Sequence, residues 1–310
     1  MKSLRIGSRG SALALWQANH IRQRLRESCG VGSEIVTIRT SGDRLEQAPI
    51  GQIGLKGVFI KEIEDALFGR RADLAVHSMK DVPTEIPAGL VFPAITKRED
   101  VRDCLVSRGG KKLAELAPGA RVGTSSLRRQ AQLRHYRPDL ELRDLRGNVD
   151  TRLRKLDAGE FDAIVLAKAG IERLGQGAKI SETISPEVML PAVGQGALGI
   201  ECRSDEKEVF GLLQKFDDNE TRAAVTAERA LLSELEGGCQ VPLGAWGRIE
   251  NQKLILEAAV LSADGAECLR RKSSGDVAEA AEVGRRLAQE LIDAGADRIL
   301  RLAGRTLGKR

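Results

Sequence analysis

Aromatic side chains are scarce in this sequence, at 3% of 310 residues. Surfaces that stack single-stranded bases need such rings, so that class of nucleic-acid binder is disfavoured. Histidine is scarcer still, at three. His20, His77 and His135 stand far apart with no partner at metal-ligand spacing, so no metal is expected. The five cysteines, Cys29, Cys104, Cys202, Cys239 and Cys268, are an odd number without a CxxC pair. That argues against a zinc site and a disulfide framework, and fits a reducing cytoplasm. No apolar run reaches the roughly 18 residues that span a bilayer, and Met1–Gly7 lacks the apolar stretch of a signal peptide. A soluble, cytoplasmic protein is the expectation.

What is present is apolar content of 42% and charged content of 30%, enough for real cores under a solvated surface. A length of 310 residues suggests two or three domains. The net charge of +5 is a mild excess, so its distribution along the chain matters more than its size.

Strand, polar turn and helix follow one another repeatedly. Leu4–Gly7 reads as a strand, Ser8-Arg9-Gly10-Ser11 as a turn, and Ala12–Arg26 as a helix with apolar residues at helical spacing. Arg9 and Ser11 thus stand where free N–H groups and the helix dipole favour an anion; equally, Ser11 simply caps the helix. Glu34–Arg39 is a strand. The stretch from Thr40 through Asp43 to Gly57 is glycine-rich and too long for an ordinary connection. It reads as a mobile lid carrying Lys56, or as a loop with a solvated lysine. Phe59–Phe68 is a helix and Asp73–Val76 a buried strand, ending at His77-Ser78-Met79-Lys80-Asp81-Val82-Pro83. Ligands gather at the carboxyl ends of strands in open α/β sheets, which makes Asp81 a candidate acid or base; a plain turn aspartate is the other reading.

Val91–Thr96 is a further strand, and the polar run Arg98–Asp103 crosses into a second domain. There Arg121–Gly123, Leu140–Leu145 and Ala163–Ala167 read as strands. The turn Thr124-Ser125-Ser126-Leu127-Arg128-Arg129 repeats the earlier hydroxyl-then-cation design. Arg128, Arg129, Arg146, Arg152 and Arg173 all fall at or soon after the carboxyl end of a strand. Guanidinium suits planar carboxylates and phosphates, so their convergence on one edge implies a small polyanionic ligand. Arg134, Arg137, Arg143 and Arg154 are expected on solvated faces. Leu190–Ala197 is a glycine-rich crossing, and Leu198–Cys202 a strand returning to the first sheet. The architecture expected is α/β: two clamshell domains of the periplasmic-binding-protein kind, with hinge crossings near 97–102 and 191–197, plus a small C-terminal α+β domain. The domains are 1–97 with 197–216, 102–191, and 219–310. The third opens with a helix over Thr221–Leu235, stopped by Gly237-Gly238. Cys239 follows on a tight turn, as an accessible thiol or as a small buried filler.

Six motifs, in order, resemble the porphobilinogen deaminase (hydroxymethylbilane synthase) family over essentially the whole chain. They are Arg9-Gly10-Ser11 with Ala14-Leu15-Trp16-Gln17, His77–Pro83, Gly123–Arg129, Leu145-Arg146-Gly147-Asn148-Val149, Leu190–Gly196 and Glu236–Pro242. The resemblance implies a transferase of heme and tetrapyrrole biosynthesis that condenses four porphobilinogens, with loss of ammonia, on a covalent dipyrromethane primer. It implies that Cys239 carries the primer as a thioether and that Asp81 is catalytic. It further implies that Arg9, Ser11, Ser78, Lys80, Thr124, Ser126, Arg128, Arg129, Arg146, Arg152 and Arg173 receive carboxylates of cofactor or substrate. Asp43, Lys56 and Phe59 match the family's lid loop, and Gln52 departs from relatives that carry lysine there. His77 is expected as a packed core residue, because the family does not assign it the chemistry. A monomer without metal, nucleic acid or membrane partner is expected. A clamshell small-anion binder or regulator sensor, and a basic nucleic-acid binder, are the competing readings; neither gives Cys239 a role.

Overall fold

The computed structural model describes residues 3–40, 60–235 and 241–307. The expected lid from Asp43 to Phe59, with Lys56 and Gln52, and the Cys239 turn lie outside the described residues. Contacts divide the chain into two units, Met1–Arg98 with Ala197–Arg222, and Glu99–Gly196 with Ala223–Arg310.

The first unit begins with β1 (Leu4–Ser8), α1 (Ala12–Cys29) and β2 (Ser33–Thr37), followed by α2 (Lys61–Phe68), β3 (Leu74–Ser78) and β4 (Leu90–Ile95). In the second unit come β5 (Asp103–Ser107), β6 (Arg121–Gly123), α3 (Leu127–Tyr136), β7 (Glu141–Arg143) and α4 (Val149–Asp157). Then follow β8 (Ala163–Ala167), α5 (Lys168–Arg173) and β9 (Glu182–Thr183). The chain returns to the first unit as β10 (Leu198–Arg203) and α6 (Lys207–Leu213), and α7 (Asn219–Glu234) leads on. Last are β11 (Leu243–Glu250), β12 (Lys253–Leu261), β13 (Cys268–Asp276), α8 (Ala280–Asp293) and α9 (Ala296–Leu307).

The strand order of the first sheet is β2-β1-β3-β10-β4 and of the second β7-β6-β8-β5-β9. The two orders correspond position for position. In each, the fourth strand runs antiparallel to both neighbours, β10 between β3 and β4, β5 between β8 and β9. The first three strands of each order, β2-β1-β3 and β7-β6-β8, pair in parallel. The expected return strand is therefore present, and the fold is α/β. Both sheets are mixed, yet the carboxyl ends of β6, β7 and β8 still share one edge.

The first sheet is covered on both faces, which is why its strands are near-continuous apolar runs. Ile6, Leu74, Val76 and Ile200 pack beneath Ala18, Ile21 and Leu25 of α1. On the other face Ile38, Ala75 and Leu90 meet Ile63, Ala66 and Leu67 of α2. Truncating any such fully buried leucine to alanine costs about 2–5 kcal/mol. α1 stops at Gly30, whose φ of 65° lets its N–H reach the Arg26 carbonyl. In the second unit, α8 lays Val283, Leu287 and Leu291 on Leu254, Leu256 and Ala258 of the three-stranded C-terminal sheet.

Some expectations need correction. Val277–Ala294 is not one helix: a 3-10 turn at Val277–Glu279 precedes α8. Arg134 and Arg137 do not lie on solvated faces. Arg134 donates to the Ala263 carbonyl, and Arg137 forks onto Asp139 while binding the Leu113 and Leu116 carbonyls. Guanidinium has enough donors to tie several loops at once. β5, β9, α6 and α9 were not legible, and β5 is the instructive case because it opens on a charged residue that is wholly buried.

Candidate active site

Each parallel strand hands its chain to a polar turn. After β1, the Ser11 hydroxyl accepts from the Ala14 N–H at 3.4 Å and caps α1, so the capping role is real. After β3 the chain makes a single 3-10 turn, Met79–Asp81. Val82 and Met79 are buried while Asp81 is exposed, so the turn is anchored by its apolar members and lifts the carboxylate into solvent. Gly199 lies opposite His77 in register. A Cβ there would meet Met79 Sδ at 2.3 Å and the Phe92 ring at 2.7 Å, so only glycine lets the turn sit this close.

Arg9, Ser11, Gln17, His77, Ser78 and Asp81 share one pocket of about 490 Å³, open to solvent, floored by Ile60, Ile63 and Val76. Gln17 Nε2 donates to Ser78 Oγ at 2.8 Å, locking α1 to the end of β3. Sequence reasoning quoted Gln17 within a motif without giving it a task. Lys80 is half-buried on the same turn. His77 is buried, as expected, with Nε2 2.9 Å from Glu201 Oε2.

The second unit treats its cations differently. Arg128 and Arg129 are buried at 5% and 6% exposure, both on Asp103, which is fully buried. Arg128 Nη1 reaches Asp103 Oδ2 at 2.7 Å and the Leu190 carbonyl at 2.6 Å. Arg129 gives Nε and Nη2 to Asp103 Oδ1 and Nη1 to the Val165 carbonyl. Gln195 Nε2 adds bonds to Asp103 and to the Val101 carbonyl. Burial opposes charge on Asp103, but the two guanidiniums outweigh it and hold its carboxyl well below the usual range. These two arginines therefore tie the segments 101–103 and 190–195 together, a task the sequence did not reveal because Asp103 read as part of a polar crossing.

Thr124 is buried and its hydroxyl accepts from the Ser126 N–H, while Ser126 caps α3 by accepting from the Arg129 N–H. Arg146 is half-buried on the loop after β7 and forms no ion pair among the described residues. Arg152, half-buried on α4, donates to the Gly147 carbonyl at 2.7 Å, bringing both to one loop. Arg173 donates to the Gly196 carbonyl at 2.7 Å, and burial lowers its pKa. Lys168, the first residue after β8, is held by Asp100 at 2.8 Å and Glu172 at 3.6 Å. Burial pushes the Cys104 thiol up to about 12 and the Cys202 thiol to about 11, which makes both inert. Among the described residues no His, Cys, Asp and Glu cluster could hold a metal, and no helix is long and apolar enough to cross a membrane.

These features define a class: an α/β protein built on two mixed five-stranded sheets, whose strand-end turns carry helix starts and guanidiniums and, in the first unit, the exposed carboxylate of Asp81. The model "Porphobilinogen deaminase, dipyromethane cofactor binding domain" matches residues 4–210, and "Porphobilinogen deaminase, C-terminal domain" matches residues 222–293. The chain belongs to the porphobilinogen deaminase family. It is 52% identical over 303 residues to the porphobilinogen deaminase of Pelotomaculum thermopropionicum, covering 97% of each chain. It is 50% identical to those of Syntrophobacter fumaroxidans, covering 96% of each, and Geobacter metallireducens, covering 96% of this chain and 94% of that one. Among solved structures, an ancestral cationic amino acid solute binding protein matches at 14% identity with a TM-score of 0.42, over 69% of this chain and 87% of that one.

Proposed function

We propose that this chain is a hydroxymethylbilane synthase, which joins four porphobilinogens head to tail on a covalent dipyrromethane primer, releases ammonia at each addition, and frees hydroxymethylbilane by hydrolysis. The observation that supports the reading most directly is Asp81, an open carboxylate on a rigid turn, in one pocket with Arg9 and the start of α1.

The donor set suits the primer. Each pyrrole carries an acetate and a propionate, and Arg9, Lys80, Arg146, Arg152 and Arg173 with the N–H groups at Ser11 and Ser126 match such a polyanion in sign and in number of donors. When bound, dipyrromethane supplies the free α-carbon that the first porphobilinogen joins. Cys239, outside the described residues, would hold it as a thioether. Ser78, with its hydroxyl fixed by Gln17, and Thr124 orient neighbouring polar groups. Asp103 occupies the guanidiniums of Arg128 and Arg129, so these two serve the site by holding the segments at 101–103 and 190 in place, and the capped start of α3 beside them is what meets a carboxylate.

Loss of ammonia from porphobilinogen leaves an electron-poor methylene-pyrrole cation. The Asp81 carboxylate stabilises that charge where it develops. It also takes the proton that the attacking α-carbon loses as its ring regains its π system, and passes it to the ammonia already released. The protein works as a cytoplasmic monomer without nucleic acid, divided as 1–97 with 197–216, 102–191 and 219–310, and Asp43, Lys56 and Phe59 belong to a lid.

Intact mass of the purified protein beside a Cys239→Ser variant tests this. The expected result is a mass excess of two linked pyrroles, absent from the variant, and stepwise pyrrole-sized increments on adding porphobilinogen. An unmodified protein that takes no increments leaves a small-anion binder as the better account.

A further inference from the structure

Glu201 is the carboxylate of the first unit that the chemistry above leaves idle. It sits at the middle of β10, wholly buried, with Oε1 lacking any hydrogen-bond partner. Its contact is His77, whose Nε2 lies 2.9 Å from Oε2. Ala75 is the residue directly opposite Glu201, so His77 reaches it on the diagonal, across the same face of the sheet. His77 in turn lines the pocket that holds Asp81. His77 thus joins a buried carboxylate to the lining of the pocket that Asp81 shares.

Two observations set this pair apart from a structural ion pair. Asp103, equally buried, has two guanidiniums and an amide on its oxygens. Glu201 has one imidazole on one oxygen and nothing on the other. A buried carboxylate so poorly served adds little stability compared with an apolar side chain of its size, and an orphaned buried acceptor calls for an explanation. The second observation is the bracing of the ring. Phe92 meets it edge-on at 5.9 Å, and Phe92 with Met79 fills the space above Gly199. The imidazole and the turn bearing Asp81 are consequently parts of one packed layer.

We propose that Glu201 is a positioning residue for the deamination step: acting through His77, it fixes the orientation of the imidazole in the layer that walls the pocket shared with Asp81. The Glu201 carboxylate fixes which ring nitrogen bears hydrogen, as in other carboxylate–imidazole couples. In each condensation the C–N bond of porphobilinogen breaks and its electrons leave on nitrogen. The α-carbon of the terminal ring forms the C–C bond, and its C–H electrons return to the ring as the proton passes to Asp81 and then to ammonia. A ring held in one orientation keeps the surroundings of that carboxylate constant while it takes and gives this proton. Glu201 from β10 is paired with His77, Glu64 from α2 interacts with it electrostatically and Phe92 packs on it without charge; Asp81 from the turn, Arg9 from the loop after β1 and the uncharged Gln17 line the same pocket. Burial, and then Glu201, raise the Glu64 carboxyl while His77 lowers it, which places all three in one electrostatic cluster.

This inference rests on Asp81 as the catalytic carboxylate, and the test separates the two. Glu201→Gln and His77→Gln are prepared with their double variant, and kcat and KM are followed against pH. A positioning couple predicts about a tenfold fall in kcat in each single variant, KM within twofold, a displaced acid limb of the kcat profile, and a double variant no worse than either single one. Folded variants with kcat within twofold and an unchanged profile overturn it. Nitrogen NMR of the three histidines gives a second readout on Asp81→Asn, which leaves the pair intact: the His77 resonances are expected to shift. A His77 spectrum indifferent to Asp81→Asn overturns the coupling even if Glu201→Gln fails to fold. Turnover surviving in Asp81→Asn would instead remove the catalytic reading itself.

Discussion

The two five-stranded sheets have one strand order and opposite electrostatic habits. At the end of β3 the turn leaves Asp81 exposed and places it in an open pocket. At the corresponding end of β8, Lys168 is neutralised by Asp100 and Glu172. At the start of α1, Arg9 lines the pocket; at the start of α3, Arg128 and Arg129 turn inward onto Asp103. The same backbone plan therefore supplies an open edge with an exposed carboxylate in one unit and a charge-locked edge in the other. What decides between them is the partner: a buried aspartate placed where the chain enters the second unit captures cations that would otherwise face a ligand.

The sharpest way to break this comparison is Asp81→Asn. General acid–base roles contribute about 10²–10⁴ in rate, so kcat is expected to fall by that range with the protein folded and its primer retained. Activity within tenfold of the parent would mean that the first sheet's edge is no more reactive than the second's.

Asp103→Asn should act on stability instead. Removing one partner of a buried ionic cluster costs about 3–5 kcal/mol, to be read from thermal or denaturant unfolding. The pH dependence has a definite sign. The folded carboxyl lies below its unfolded value, so its contribution is complete above about pH 4 and is lost only as pH falls through the lower folded value. The parent should therefore keep this contribution at mild acidity, and the variant should show no such dependence.

Arg146→Ala probes a loop of the second unit whose cation forms no ion pair among the described residues. A charge-assisted hydrogen bond is worth about 1.5–3 kcal/mol, so primer assembly or elongation should weaken roughly ten- to a hundredfold. Unchanged kinetics would show that the polyanion lies elsewhere. The smallest effect is expected from the paired caps. Ser11→Ala and Ser126→Ala should each cost about 1 kcal/mol of stability, and a much larger loss of turnover in either would show that its helix start touches ligand.

Much of this was legible in sequence because it follows from local periodicity. β6 and β8 fall where alternation and buried apolar runs put them, and the return of β10 to the first sheet could be read from Leu198–Cys202. The position of Asp81 at a strand end was legible for the same reason. The fates of Arg128 and Arg129 were not. Whether an arginine faces ligand or core depends on a carboxylate 25 or 26 positions away in sequence, and no local pattern carries that information. Glu201 escaped for a similar reason: in a strand that reads as buried, a glutamate gives no sign of which neighbour it will find. Gln17 and Gln195 stood inside quoted motifs, but an amide's task is defined only by the backbone it bridges.

The place of β10 between β3 and β4 also governs the order in which the protein can be made. A chain emerging from the ribosome finishes β4 roughly a hundred residues before β10 appears. Every strand of the second five-stranded sheet lies inside that interval. The second sheet can close while the first is still a pair of fragments with open edges, the kind of edge to which a stray strand adds. The sheet that carries the exposed Asp81 is thus the last of the two to exist, so a nascent chain has its charge-locked edge assembled before its open one.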